Sequence, residues 1–154
     1  MTTASATKLI PLISSGTAGP LGAVHLPRLW LKLTLAAHDV LADGYDEAGA
    51  GFDAMTLAAL GLDKDKTIAF VRENHPTYVQ FEEYVVNENG GSVSPDAIAK
   101  HNAAVLGYDH DGTFADPAEA RKHLGIKDES IKNAVLLNTL DDLASLHEQL
   151  EGTH

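Results

Sequence analysis

The chain has 154 residues, 44% hydrophobic and 21% charged, with 11 basic and 22 acidic side chains giving a formal net charge of −11. That is the composition of one globular domain, and its negative field excludes nucleic acid and anionic membrane surfaces as expected partners. Cysteine is absent, so disulfides and thiolate catalysis are excluded, and a metal would have only His, Asp or Glu side chains to bind.

Residues 1–22 read as an irregular N-terminal arm, rich in Thr, Ser, Ala and Gly. Its apolar stretch Leu9-Ile10-Pro11-Leu12-Ile13 is broken by proline and too short for a signal-peptide core. No later run approaches spanning length, and a cytoplasmic location is the expectation. Residues 23–154 read as a single helical domain.

Pro27 sits where a first-turn proline is tolerated, and the run 28–42 comes after it, with Gly44 as its stop. Leu26, Leu29, Trp30, Leu33 and Ala37 form one stripe, but Leu31, Leu35 and Val40 lie off it; a helix apolar on most sides is a central one. A second helix spans 52–60 and stops at Gly61, and Asp63 caps a third. Thr77 and Gln80 match a capping box that opens a fourth. Ser94-Pro95 opens a fifth, ended by Gly107. Asp116-Pro117-Ala118-Glu119 combines an N-cap Asp, an N1 Pro and an N3 Glu, and Gly125 ends that short sixth helix. The last runs over 130–149.

No segment sustains strand alternation. The expected fold is all-α: a compact single-domain bundle of about six or seven helices. Leu60-Gly61-Leu62-Asp63 and Leu124-Gly125-Ile126-Lys127 suggest two related helical hairpins, short of the repeats a solenoid needs.

Chemistry concentrates in His25-Leu26-Pro27-Arg28-Leu29-Trp30-Leu31-Lys32. Arg28 and Lys32 share a helix face, with His25 just before the helix on the same side. Positive charge in a first turn opposes the helix dipole by about 0.3–1 kcal/mol, so this cluster calls for a negative partner. One reading is an anion site for a carboxylate or phosphate. The other, and the commoner outcome, is ion pairing with the chain's own acidic residues.

Asn138 and Asp142 lie on the side of Ile131 and Val135 in the last helix, and a buried carboxylate there would need Arg28 or Lys32 as partner. His147 falls on the stripe Leu136, Leu140, Leu143, Leu150, where a core histidine is commoner than a tuned base. Tyr78 and Glu82, one turn apart and preceded by His75, could form an acid/base pair, although Tyr78 also belongs to an aromatic packing face. Asp109-His110-Asp111-Gly112 fails as a calcium loop, since Gly107 and Ala118 fall on its first and last ligand positions. No two histidines stand at helical i, i+4 spacing, and phosphate-loop and serine-elbow motifs are absent. A metal held by residues from separate helices stays open; none is assigned.

Thr17-Ala18-Gly19-Pro20-Leu21-Gly22 and the segment from His25 to Lys32 together resemble the bacterial family catalogued as domain of unknown function 5069. The likeness continues through Gly44-Tyr45, Gly51-Phe52-Asp53, Leu60-Gly61-Leu62-Asp63, Pro76-Thr77-Tyr78 and Phe81-Glu82, and resumes at Leu137-Asn138, Leu140-Asp141-Asp142 and His147. Leu143 departs from it, standing where an aromatic is expected. The resemblance implies a small bacterial cytosolic protein, carries no established reaction, and adds Tyr45 and Asp53 to the residues of interest, Asp53 also being placed to cap a helix.

The expected function is cofactor-independent acid/base chemistry, of lyase, isomerase or hydrolase type, on a small anionic or polar molecule. His25, Glu82, Tyr78 and Asp53 are its candidate catalytic residues. Arg28, Lys32, Trp30, Tyr45, Asn138, Asp142 and His147 are its candidate binding residues, in a pocket between the first helix and the Tyr78 helix. The alternative is a non-catalytic helical binding or adaptor protein, and a homodimer is compatible with either.

Overall fold

The computed structural model describes residues 7–112 and 115–152. Among them the chain forms seven α-helices: α1 Leu26–Ala37, α2 Phe52–Ala59, α3 Lys64–Asn74, α4 Tyr78–Glu88, α5 Pro95–Leu106, α6 Pro117–Leu124 and α7 Ala134–Glu151. The described residues contain no named strand, only isolated bridges at Leu9 with Leu41 and Asp109 with Asn133. No described helix is long and apolar enough to cross a membrane.

Local signals set most helix starts. The side chains of Asp63, Ser94 and Asp116 accept from first-turn N–H groups, and Thr77 and Gln80 form both halves of a capping box. Gly61 and Gly125 take positive φ at helix ends, where Leu62 N–H donates to Leu57 O and Ile126 N–H to Arg121 O. The two related segments therefore share a glycine stop of Schellman type. Beyond that stop they diverge: α3 begins at Lys64, whereas α7 waits for its cap at Asn133, so the last helix starts later than the expected residue 130.

The first helix is shorter than its apolar run. It ends at Ala37, not near residue 42, because Asp39 turns into a left-handed conformation (φ 57°) and the chain leaves to meet the arm. There Leu9 N–H donates to Val40 O and Ala42 N–H to Leu9 O.

Helix α1 is central. Leu26, Leu29 and Leu33 are buried with Leu57, Leu60, Val71, Phe81 and Val85 in one core. Burying each such side chain contributes about 1.5–3 kcal/mol. Arg28 and Lys32, on another face of α1, are buried as well. A helix with an apolar core face and a buried charged face must have a second, polar layer against it.

Candidate functional site

That second layer is built by the arm, the start of α2 and the inward face of α7. His25 occupies the N-cap position of α1 with φ 70°, a left-handed conformation rare for a residue with a side chain. Its backbone is held by neighbours: His25 N–H donates to Thr17 O, and Val24 N–H donates to Asn102 Oδ1 on α5. Strained positions of this kind persist where the surroundings over-determine them, and they concentrate at functional sites.

His25 is 2% exposed, and its imidazole is bonded at both nitrogens: Nδ1 lies 3.0 Å from Ser15 Oγ, and Nε2 lies 2.6 Å from Asp53 Oδ1. Asp53 sits in the first turn of α2, and its other oxygen accepts from Lys32 Nζ at 2.5 Å and Gly49 N–H at 2.8 Å. Gly51 is the N-cap of that helix, so Asp53 does not cap it; the carboxylate faces α1 instead. Alongside, Arg28 clasps Asp142 of α7 with a two-pronged contact of 2.6 and 3.1 Å. The same guanidinium donates to the carbonyls of Pro11 and Ile13 in the arm, and Tyr45 Oη donates to Asp142 at 3.0 Å. Arg28 and Lys32 are thus each closed by a buried carboxylate.

These groups border a half-open cavity of about 260 Å³, lined also by Asp46, Phe52, Asn138 and Asp141. It adjoins a second cavity of about 410 Å³, with which it shares Phe52 and Asn138 and which Met55 and Tyr108 help to line. In the first, four carboxylates (Asp46, Asp53, Asp141, Asp142) face two cations, so the field is negative while His25 is neutral.

Burial lowers the His25 pKa, against the hydrogen bond and charge of Asp53, which pull it up. Burial alone would raise the Asp53 carboxyl, but the His25 hydrogen bond, the Lys32 charge and the Gly49 N–H together bring it down to about 2. Burial, with the nearby Asp142 charge, raises the Tyr45 phenol to about 12. Asp141 is raised as well, by partial burial and by Asp142 beside it.

These shifts make stability depend on pH. With its folded pKa depressed, His25 resists a proton that the unfolded chain accepts below about pH 6.5, so stability falls as the pH drops through that value. The slope reaches about 1.4 kcal/mol per pH unit for one proton. Asp53 acts at lower pH: its stabilisation is present above the ordinary carboxyl value of 3.8 and disappears as pH falls to about 2. Urea unfolding at pH 7, 6 and 5 should show the first decline, and His25→Gln should flatten it; the acid limb should shrink but persist, because Lys32 and the Gly49 N–H still lower Asp53. A flat wild-type profile from pH 7 to 5 would mean that His25 takes up its proton in place.

The structure gathers His25, Arg28, Lys32, Tyr45, Asp53, Asn138 and Asp142 around one cavity. It places the rest elsewhere. Tyr78 donates to Glu82 at 2.6 Å, and Glu82 accepts from Leu21 N–H, so this pair fastens the arm to α4 and lines no wall of the His25 cavity. Gly19 packs so closely there that a Cβ would meet Glu82 Oε2 at 2.7 Å. Trp30 donates to Pro76 O and rests edge-on against Tyr78. The cavity therefore lies between α1, the 44–51 loop, α2 and α7, not between α1 and α4, because the apolar side of α1 is the one that packs on α4.

His147 is exposed, as are Leu136, Leu143 and Leu150, so its stripe faces outward and not into the core. α7 buries the opposite side, with Ala134, Leu137 and Asp142. Ser15, 2% exposed and in contact with His25, is the site residue that sequence reasoning missed; it sits in an irregular arm with no motif around it.

No family model, curated protein or solved structure matches this chain.

Proposed function

We propose that the chain is a cofactor-independent acid/base enzyme acting on a small polar molecule in the cavity beside His25. One observation carries this: a buried imidazole, 2.6 Å from a carboxylate that Lys32 also binds, at the wall of a solvent-reaching cavity. A neutral imidazole fixed by a carboxylate is a general base ready at neutral pH. Arg28 and Lys32 are better read as fixing the two carboxylates than as receiving substrate, since each already has its counter-charge at hydrogen-bond distance. The negative field then favours an uncharged polar substrate over an anion. Asn138 is half-buried at the cavity wall, and its side-chain amide makes no hydrogen bond among the described residues, which leaves that amide for the ligand. Kinship with the 5069 family is proposed on motif residues alone.

A thermal-shift screen of small amides, lactams, esters and hydroxy compounds tests the reading. A ligand at one hundred times its dissociation constant adds about 2.7 kcal/mol, seen as several degrees. The shift should disappear in Asn138→Leu, which breaks no buried pair, and the ligand should perturb the His25 imidazole resonances. Ligands that bind without reaching His25 would remove the assignment.

The adaptor reading draws on a different observation. Leu136, Leu143 and Leu150 are exposed along α7 at heptad-like spacing, a seam of the kind partner helices use. Loss of a stoichiometric complex in Leu143→Glu, with no turnover of any small molecule, would put that reading first.

A further inference from the structure

We propose that Ser15 is a nucleophile and that the cavity carries out acyl transfer from small uncharged esters or amides to water. This rests on the acid/base reading of His25 and narrows it to one reaction. Three side chains lie in a chain of hydrogen bonds: Ser15 Oγ to His25 Nδ1 at 3.0 Å, and His25 Nε2 to Asp53 Oδ1 at 2.6 Å. Asp53 is fixed as a carboxylate by Lys32 and Gly49, so it can only accept; the Nε2 proton therefore points to Asp53. Nδ1 is left with its lone pair toward Ser15, and His25 is the only hydrogen-bond partner of Ser15 Oγ among the described residues. Roles and geometry define a nucleophile–base–orienter set, whichever ring nitrogen does each task.

The neighbouring backbone supports the assignment. Ser15 is held in a tight turn, with Thr17 N–H donating to Ser14 O and Gly16 N–H to Ser14 Oγ. The turn carries a hydroxyl to the cavity wall, and both Ser15 and His25 line that wall. The first turn of α2, which no side chain caps, borders the same cavity, and its N–H groups are donors available to a developing oxyanion. The adjoining cavity, with Phe52, Met55 and Tyr108, gives the apolar part of an acyl or leaving group a place to lie.

The reaction conserves atoms and electrons at each stage. Ser15 Oγ bonds to the carbonyl carbon, its proton passes to His25 Nδ1, and the carbonyl π pair moves to oxygen. Collapse breaks the bond to the alcohol or amine, which leaves with the Nδ1 proton. Water then attacks the acyl-serine, giving a proton to Nδ1, and collapse of that second adduct releases the acid and returns the proton to Ser15 Oγ.

The full chain is treated with diisopropyl fluorophosphate, and the adduct is located by peptide mass spectrometry. The expected result is one adduct on Ser15, absent in Ser15→Ala, and forming about 10³-fold more slowly in His25→Gln. The Ser15→Ala change removes a single hydroxyl and keeps the fold, so loss of labelling there is not loss of structure. An adduct elsewhere, or none, in a protein whose cavity still binds small polar ligands and perturbs His25, overturns the nucleophile and leaves the acid/base reading standing. Neither adduct nor ligand binding overturns both.

Discussion

Arg28→Ala is expected to destabilise the protein by about 3–5 kcal/mol, a large share of the roughly 5–15 kcal/mol that holds a domain folded. The guanidinium answers four acceptors at once: both oxygens of Asp142 and the carbonyls of Pro11 and Ile13. Asp142 is 4% exposed, and without Arg28 its remaining side-chain partner among the described residues is the Tyr45 hydroxyl. A buried carboxylate left that way carries most of its desolvation penalty uncompensated. Arg28→Lys should recover little, because a point charge on a flexible stem cannot reproduce a planar fork. The double change Arg28→Met with Asp142→Leu should recover most of the loss, since it removes both charges and refills the volume. The two arm carbonyls would still lack their donor, which sets the residual deficit. Urea midpoints of the four proteins measure this. A cost below about 1 kcal/mol for Arg28→Ala would place the pair among solvated surface bridges and remove it as the brace of the arm.

Asp53→Asn should be nearly isosteric and nearly inactive. The wild-type carboxylate accepts from His25 on one oxygen and from Lys32 and Gly49 on the other. An amide offers one acceptor. Facing that oxygen to Lys32 and Gly49 satisfies two donors, so the NH₂ group turns toward His25 Nε2. The imidazole must then carry its proton on Nδ1, pointing at Ser15, and can no longer take the Ser15 proton. Loss of about 10³–10⁴-fold in diisopropyl fluorophosphate labelling is expected, in the manner of other orienting aspartates. Lys32, buried and without its counter-charge, adds a stability cost of about 3–5 kcal/mol. Imidazole nitrogen chemical shifts read the tautomer directly. An unchanged tautomer with lost labelling would mean that Asp53 acts through its charge; unchanged labelling would mean that it acts on Lys32 alone.

The helix starts at Asp63, Thr77, Ser94 and Asp116 were legible because a cap is a contact within one turn of the chain, encoded by neighbours. The end of α1 was not: the apolar run continues to Val40, and it is pairing with Leu9, distant in sequence, that draws the chain away. The stripe containing His147 had the periodicity of a buried face, but periodicity gives the rows of a helix without saying which row meets the core. Asp142, one position away from the exposed Asp141, marks the row that does.

The same division holds at the site. By itself the sequence determined an all-α bundle with one anomalous feature, His25, Arg28 and Lys32 on one side of an apolar central helix, because charge and helical spacing are local properties. It offered Asp142 as a partner for Arg28 or Lys32 without choosing between the two, and it offered no partner role for Asp53. Tertiary structure alone decided that Asp142 goes to Arg28, that Asp53 joins Lys32 to His25, that Tyr78 and Glu82 fasten the arm instead, and that Ser15 in a motifless turn lies against the imidazole. Such pairings join residues far apart along the chain, and they form only when burial of the core brings α1, α2, α7 and the arm within hydrogen-bonding distance.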